Sequence, residues 1–559
     1  MRFKIQFSLL LCLLTFSQGF SQVRTVGRIA YDDSLTMPGY TLFTPNQSTK
    51  SFLIENCGRL VHEWNSSYQP GMLAYLRTDG LLLRAGRDFN NINFPGFGGN
   101  GGILELIDWN DNIVWSYQLS DTSKQGHHDI EPMPNGNVLV LAWEKFDYAA
   151  AVQAGRDTSQ LPDGEIWSEA IYELKPIFPD SAHLVWEWHA WDHLVQDHDP
   201  QKDNFANVAD HPELINLNYL GTSAGAADWL HANSIAFNAA RNEIVLSFRE
   251  TSEIVVIDHA TNSAQAASHS GGNSGKGGDL LYRWGNPASY GRGTLANQQL
   301  FHQHDARWVD IGLPNEGKIL IFNNGDLRPG GAFSTADFIS PPLDSLSHYQ
   351  APIITGYLPL LPDSSFSSLP NDSIYSAIMG GAQVLPNGNM LISQSVHGRF
   401  AEYDPTGMKV WEYISPVLPL SIHLSQGTVV PVLTNSWANA VFRAQKYPVS
   451  YPGLGGQVLV PGDYLEGNPY PDSCFTAVNL QTLEVDNFKI GPNPAFDKIQ
   501  IISSRPLSSN WTLMNVEGKI CAMGKLKGNQ ASISVLDLPS GLYCLRIGKT
   551  FNRKVLVQH

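Results

Sequence analysis

The chain has 559 residues, of which 43% are apolar and 16% charged, with 49 Gly, 34 Pro, 14 Trp, 20 Tyr and 25 Phe. That much apolar and aromatic material excludes a disordered chain, and scarce charge with abundant Gly and Pro suits short strands joined by turns rather than long solvated helices. The 36 Lys/Arg against 52 Asp/Glu give a net charge of −16, which excludes the basic face that nucleic-acid binding requires.

Residues 1–22 read as a secretory signal peptide. Arg2 and Lys4 precede the apolar run Ile5 to Phe16, and Ser17, Gly19 and Ser21 follow it. The run is too short to span a bilayer, which takes about 20 apolar residues, and no later segment is longer. The mature chain is therefore expected to be exported and soluble. Its four cysteines, Cys57, Cys474, Cys521 and Cys544, lack CxxC spacing, so a structural zinc site on thiolates is not expected. Export permits disulfides, and Cys57–Cys474 with Cys521–Cys544 is one of three possible pairings.

A repeat follows. An aliphatic residue, an aromatic or His, any residue and an aromatic recur at Val61–Trp64, Val114–Tyr117, Val185–Trp188, Leu281–Trp284 and Val410–Tyr413. Pro134-Asn-Gly-Asn and Pro386-Asn-Gly-Asn, with the looser Asn315-Glu-Gly-Lys, are hairpin turns, because Asn-Gly tolerates positive φ at both central positions. The unit is a run of antiparallel strands ending in an aromatic outer strand. The aromatic ends are spaced 53, 71, 96 and 129 residues apart, and the wide gaps leave room for insertions or further units. The fold predicted is all-β: a six-bladed β-propeller over residues 23–437, with the run Tyr40 to Trp64 supplying a strand that closes the ring. Residues 438–484 read as a Pro/Gly-rich packing segment and linker. Residues 485–559 carry ten Lys/Arg against four Asp/Glu, a basic module on an acidic body, and read as a small C-terminal β-sandwich.

Three histidine clusters fall where inner strands would begin: Gly126-His-His-Asp, Asp228-Trp-Leu-His-Ala-Asn-Ser and Phe301-His-Gln-His-Asp. Inner strands line the axis of a propeller, so residues from different blades can converge there. Arg249 lies one hairpin after His231. Three histidines and an arginine form an electropositive pocket, for which zinc on three imidazoles and a tetrahedral oxyanion are the two candidate occupants. The arginine favours the oxyanion: its planar fork matches sulfate or phosphate and its fixed charge repels a metal ion. A neutral imidazole can also attack a transferable oxyanion group and carry it covalently.

The blocks His127-His-Asp-Ile, Trp229-Leu-His-Ala-Asn-Ser-Ile with Ser247-Phe-Arg-Glu, Tyr282-Arg-Trp-Gly-Asn-Pro, and Gln303-His-Asp-Ala-Arg-Trp followed by Phe322-Asn-Asn-Gly resemble the bacterial arylsulfate sulfotransferase family. The resemblance covers roughly Tyr40 to Trp437. It implies a six-bladed propeller that moves a sulfuryl group from a phenolic sulfate ester to a phenolic acceptor, without a nucleotide donor, by ping-pong through a sulfated histidine. Carried over by position, it makes His304 the nucleophile, places His231 and Arg249 on the sulfuryl oxygens, and makes His128 the proton donor and acceptor. His127 and Asn233 are the further substrate-binding candidates. No metal and no cofactor are expected. The insertion 192–219 and the Gly/Ser run 268–278 are expected to shape the rim, and the oligomeric state is left open.

The last module resembles the type A sorting domain of the type IX secretion system, through Gly491-Pro-Asn-Pro, Asn515-Val-Glu-Gly-Lys, Leu538-Pro-Ser-Gly-Leu-Tyr and Arg553-Lys-Val-Leu-Val. This implies the secretion machinery as partner and a secreted or cell-surface location. Gly271-Gly-Asn-Ser-Gly-Lys-Gly fails as a phosphate loop, since Gly277 stands where Ser or Thr should be. The alternatives are a non-catalytic propeller that binds a sulfated or anionic ligand, an aryl sulfate hydrolase using the same pocket, and a quinoprotein-like dehydrogenase, whose calcium site is not found.

Overall fold

Short apolar runs, many of them buried along their whole length and broken at Gly and Asn-Gly turns, give the chain its strands. A computed structural model describes residues 24–95, 98–367, 374–433, 437–470, 474, 488–515, 519–547 and 551–559; the leader lies outside the described residues. The chain divides into two units, Met1–Tyr470 and Pro471–His559.

Six antiparallel sheets form the blades of the first unit among the described residues, four of them being four consecutive strands in sequence order, and a parallel pair, Leu194–Val195 with Ile215–Asn216, lies outside them. Blade 2 spans Pro70–Leu76 to Ile113–Gln118, blade 3 Lys124–Pro132 to Ser181–His189, and blade 4 Ala232–Asn238 to Tyr282–Trp284. Blade 5 spans His304–Trp308 to Ser364–Phe366 and blade 6 Gly381–Val384 to Lys409–Ile414. In blade 1 the strands Gly39–Pro45, Lys50–Glu55 and Leu60–Asn65 are completed by Val441–Pro448, which pairs with Gly39–Pro45 as the innermost strand. Each inner strand packs against the inner strands of both neighbouring blades, so the ring is closed. The closing strand lies past residue 437, inside the stretch that the sequence assigns to a packing segment. Gly27–Tyr31 adds a fifth strand to blade 6, a second tie between the chain's two ends.

Every copy of the aromatic repeat is an outer strand, and in four of the five copies an indole joins one blade to the next. Trp115 Nε1 donates to the Ser181 carbonyl of blade 3 at 2.7 Å, and Trp188 Nε1 to the Gly278 carbonyl at 2.7 Å in the loop before the outer strand of blade 4. Trp284 Nε1 reaches the Pro359 carbonyl at 2.6 Å, and Trp411 Nε1 the Asn56 carbonyl of blade 1 at 2.7 Å. A buried tryptophan supplies large apolar area but must satisfy its N–H, which explains the aromatic at this register. Blade 5 lacks the motif, since its outer strand is Ser-Ser-Phe, and this accounts for the gap of 129.

At the axis, Arg443 of the closing strand is buried and binds three other blades. Its guanidinium donates to Asp129 Oδ2 of blade 3 at 2.8 Å, to Tyr75 Oη of blade 2 at 3.0 Å and to Asp305 Oδ1 of blade 5. On one side of this hub the channel opens into a cavity of about 870 Å³ whose lining includes Glu131, Arg307 and Tyr451.

The C-terminal unit is a five-stranded β module with its own apolar core, which includes Ile499, Leu513, Leu545 and Val555. Its long strand Lys498–Asn515 pairs first with Phe488–Gly491 and later with Gly541–Ile547, joining the two halves of the sheet. Cys521 and Cys544 are free thiols, so that pairing is not made, while Cys57 and Cys474 are each disulfide-bonded. No helix among the described residues is long and apolar enough to cross a membrane.

Removing one partner of a buried ion pair leaves an uncompensated charge, at a cost of about 3–5 kcal/mol. Arg443→Met should lower the urea midpoint accordingly, and adding Asp129→Asn and Asp305→Asn should restore much of the loss. A midpoint unchanged in Arg443→Met would remove the hub from the account.

Candidate active site

The inner strands of blades 3, 4 and 5 each break their regular pairing near the axis. Register shifts lie opposite Val140/Ala142, between Ala232 and Ser234, and between His304 and Arg307. His128, His231, His302 and Asp305 have φ of 48°, 51°, 54° and 53°, in the left-handed region that non-glycine residues rarely occupy. Bulges of this kind re-aim a side chain that a regular pleat would point into a blade. Asp129 and Asp305, held by Arg443, directly follow His128 and His304 in the chain, so the hub fixes the backbone that presents both rings.

The structure brings together four of the six residues singled out in the sequence. The rings of His128 and His231 stand edge to face, 4.5 Å between centroids. Phe442 of the closing strand lies between His128 and His304, 6.3 and 6.2 Å from their centroids. Arg249 Nη2 is 3.4 Å from His302 Nδ1, and the His302 carbonyl is 3.1 Å from His304 Nδ1. His231 and Arg249 keep 18% and 17% side-chain exposure, so solvent reaches the two donors.

The other two differ from expectation. The His127 ring is fully buried and stacked on Trp143 at 4.1 Å, with Nδ1 on His128 Nδ1 at 2.8 Å and Nε2 on Glu169 Oε2 at 2.9 Å. It stands behind His128 and has no nitrogen left for a substrate. Asn233 is buried, and its amide donates to the Gln303 carbonyl at 2.8 Å, tying blade 4 to blade 5.

Protonation differs from ring to ring for identifiable reasons. Burial pushes His304 well below the ordinary imidazole range, and the Arg249 charge adds to the effect. Its Nδ1–H donates to Asn324 Oδ1 at 2.8 Å, leaving the lone pair on Nε2, which accepts from the Met379 amide at 3.2 Å. Burial and the neighbouring cations likewise depress His128, and burial depresses His127 to about 3. His231 is raised: burial opposes its charge, but the Asp228 carboxylate, 2.5 Å from Nδ1, outweighs it. The site thus sets a cationic imidazole and a guanidinium beside neutral imidazoles. Each cation has its own carboxylate, Asp228 for His231 and Glu250 for Arg249, so the pocket is dipolar rather than the net-positive one expected from the sequence.

Several members of the site carry no sequence signal. Trp143 stacks on His127 and donates Nε1–H to Asp228 Oδ1 at 3.0 Å, and Glu169 also receives the Ala232 amide at 2.7 Å. Gly99, at φ +92°, lies so close to His128 that a Cβ there would stand 2.0 Å from Cε1. Of the two insertions, 192–219 leads into Thr222, whose hydroxyl contacts His302 Nε2 at 2.7 Å and Glu250 Oε2 at 2.5 Å. The run 268–278 leaves blade 4 after Asp258, at the end of the blade away from Arg249.

Residues 107–340 match the family model described as Arylsulfotransferase (ASST), and residues 489–558 match that of the Secretion system C-terminal sorting domain. The chain thus carries a segment similar to arylsulfotransferases and a C-terminal segment similar to a secretion sorting domain, which indicates export to the surface or medium. No curated protein matches it. Similar solved structures include a protein of unknown function from Bacteroides caccae, at 12% identity over 67% of this chain and 93% of that one, TM-score 0.36. A catalytically inactive virginiamycin B lyase from Staphylococcus aureus matches at 9% identity over 70% and 88%, TM-score 0.31. The β-propeller domain of Cps50 (Swd1) from Myceliophteria thermophila matches at 9% identity over 70% and 90%, TM-score 0.33. With scores this low, the fold assignment rests on the sheet topology above.

In a ¹⁵N-histidine titration, His231 should stay protonated above the ordinary value of about 6.5, and Asp228→Asn should bring it below that value. A His231 that already titrates low in the wild type would contradict the assigned pairing.

Proposed function

We propose that the protein transfers a sulfuryl group from a phenolic sulfate ester to a phenolic acceptor by ping-pong, through a sulfated His304. The observation that carries this reading is the juxtaposition of a neutral His304, its lone pair on Nε2, with the cationic pair His231 and Arg249.

In the first half-reaction His304 Nε2, released from the Met379 amide, attacks sulfur, forming an N–S bond as the S–O bond to the aryl group breaks. Negative charge on the peripheral oxygens is met by His231 Nε2–H and the Arg249 fork, donors already oriented by Asp228 and Glu250. Because both cations are already paired, the pocket suits a monoanionic sulfate ester better than a dianionic phosphate ester. The departing aryl oxide needs a proton. His128 is held neutral, so it acts through the chain behind it: Glu169, which burial raises well above the usual carboxylate range, keeps a proton for His127 Nε2. As His128 Nε2 protonates the aryl oxide, His127 passes its Nδ1 proton to His128 Nδ1, and Glu169 replaces it. In the second half-reaction the acceptor phenol gives its proton to His128, the relay reverses and its oxygen takes the sulfuryl group from His304. Atoms and charge balance over the cycle.

With 4-nitrophenyl sulfate as donor, phenol should accelerate nitrophenol release, and His304→Ala should abolish it. Arg249→Ala should cost roughly 100–1,000-fold in kcat, the size expected for one lost oxyanion donor. Glu169→Gln keeps the shape but not the proton, so its penalty should grow as the leaving phenol becomes more basic, toward the roughly 100–10,000-fold typical of general acid catalysis. A penalty independent of the leaving group would overturn the relay. Release unaffected by added phenol would reassign the reaction to hydrolysis, and binding without turnover would make the protein a receptor.

A further inference from the structure

Away from the axis, three side chains from two separate insertions meet beside the outer strand of blade 3. His193 follows that strand, in the segment 192–219; His269 lies in the Gly/Ser run 268–278 of blade 4 and Asp279 directly follows it. His193 Nδ1 and His269 Nδ1 each lie 2.8 Å from the same oxygen, Asp279 Oδ1. The ligand atoms that the three residues offer all fall within 4.8 Å of one another.

The orientation of His193 is set independently of this cluster. Its ring is fully buried and parallel to Trp188, 5.7 Å between centroids, and Nε2–H donates to the Ala266 carbonyl at 2.8 Å. Nδ1 therefore faces the carboxylate, and a metal ion bound there would take the place of the proton the two share. A second ring nitrogen bound to a backbone carbonyl is the usual support of a metal-bound histidine, because it fixes the tautomer and aims the lone pair. The close approach depends on Gly278, where a Cβ would stand 1.9 Å from the Ala266 carbonyl and 2.6 Å from His193 Nε2. His269 is 63% exposed on the open side, where water can complete a coordination shell.

We propose that His193, His269 and Asp279 bind a divalent first-row transition ion of the zinc class, which staples the 192–219 insertion to the 268–278 run. Two imidazoles and one carboxylate are a donor set that suits zinc. Tetrahedral ligands about 2.0–2.1 Å from one zinc ion sit about 3.3 Å apart, so each 2.8 Å histidine–Asp279 contact would open slightly to admit the ion. The site is remote in role from the axial histidines and does not rest on the proposed transfer chemistry. Its effect falls on the insertions, one of which leads directly into Thr222 at the active site.

The test uses the purified protein with Cys521 and Cys544 alkylated, so that thiolates do not compete, titrated with zinc chloride by calorimetry and with cobalt chloride by visible absorption. One equivalent of zinc should bind, with a cobalt d–d band, and zinc should protect the 268–278 run from proteolysis. His269→Ala, at an exposed ring, should lose that equivalent and the protection while keeping the thermal midpoint of the metal-free protein. Asp279→Asn should lose both as well. Wild-type protein that binds no zinc, or zinc stoichiometry unchanged in the two variants, would overturn the assignment.

Discussion

One buried guanidinium carries more of this structure than any other group. Arg443 arrives last in the chain, on the strand that closes the ring, and bonds to blades 2, 3 and 5 from blade 1. Its carboxylate partners are the residues after His128 and His304, so ring closure and placement of the reactive rings are a single event. Until Val441–Pro448 docks, Asp129 and Asp305 are two acidic groups facing an axis with no Arg443 cation between them, and the backbone at both bulges lacks its tether. Tryptophans hold the ring at its circumference in the same way, the outer aromatic strands of blades 2, 3, 4 and 6 each donating an indole N–H to a carbonyl of the next blade.

From that frame the chemistry follows by small environmental differences between identical side chains. His231 and His128 are edge to face, yet one is held charged and the other neutral. Asp228 makes the difference for the first; burial among other cations makes it for the second. His304 is neutral for the same reason as His128, and Asn324 decides which of its nitrogens keeps the lone pair. Carboxylates placed behind the cations limit the net positive charge that a ligand meets, which matches the pocket to a singly charged group.

Much of this was legible in the sequence. The aromatic repeat marks the outer strands of five blades, because a half-buried outer strand needs a large side chain with one polar tip, and the Asn-Gly turns mark hairpins between first and second strands. The histidine blocks were legible because each stands at the start of an inner strand, where a propeller gathers remote residues. What stayed hidden depends on partners far away in the chain. Glu169 lies 42 residues from His127, and Arg443 lies 138 from Asp305 and 314 from Asp129. Neither has a local pattern to betray it. His127 and His128 are adjacent and chemically alike, and only the left-handed backbone at His128 decides which ring faces the site. The closing strand resembles a packing segment in the sequence because the Pro/Gly-rich residues after it dilute its pattern.

The measurement that bears most directly on the central claim is mass spectrometry of the full-length protein mixed with an aryl sulfate alone and quenched in alkali, where an N-sulfonated imidazole survives. The account predicts one added SO₃ group on the peptide that contains His304, discharged within one turnover when a phenol is supplied. An unmodified protein that still transfers sulfate, or an adduct on any other residue, would contradict it.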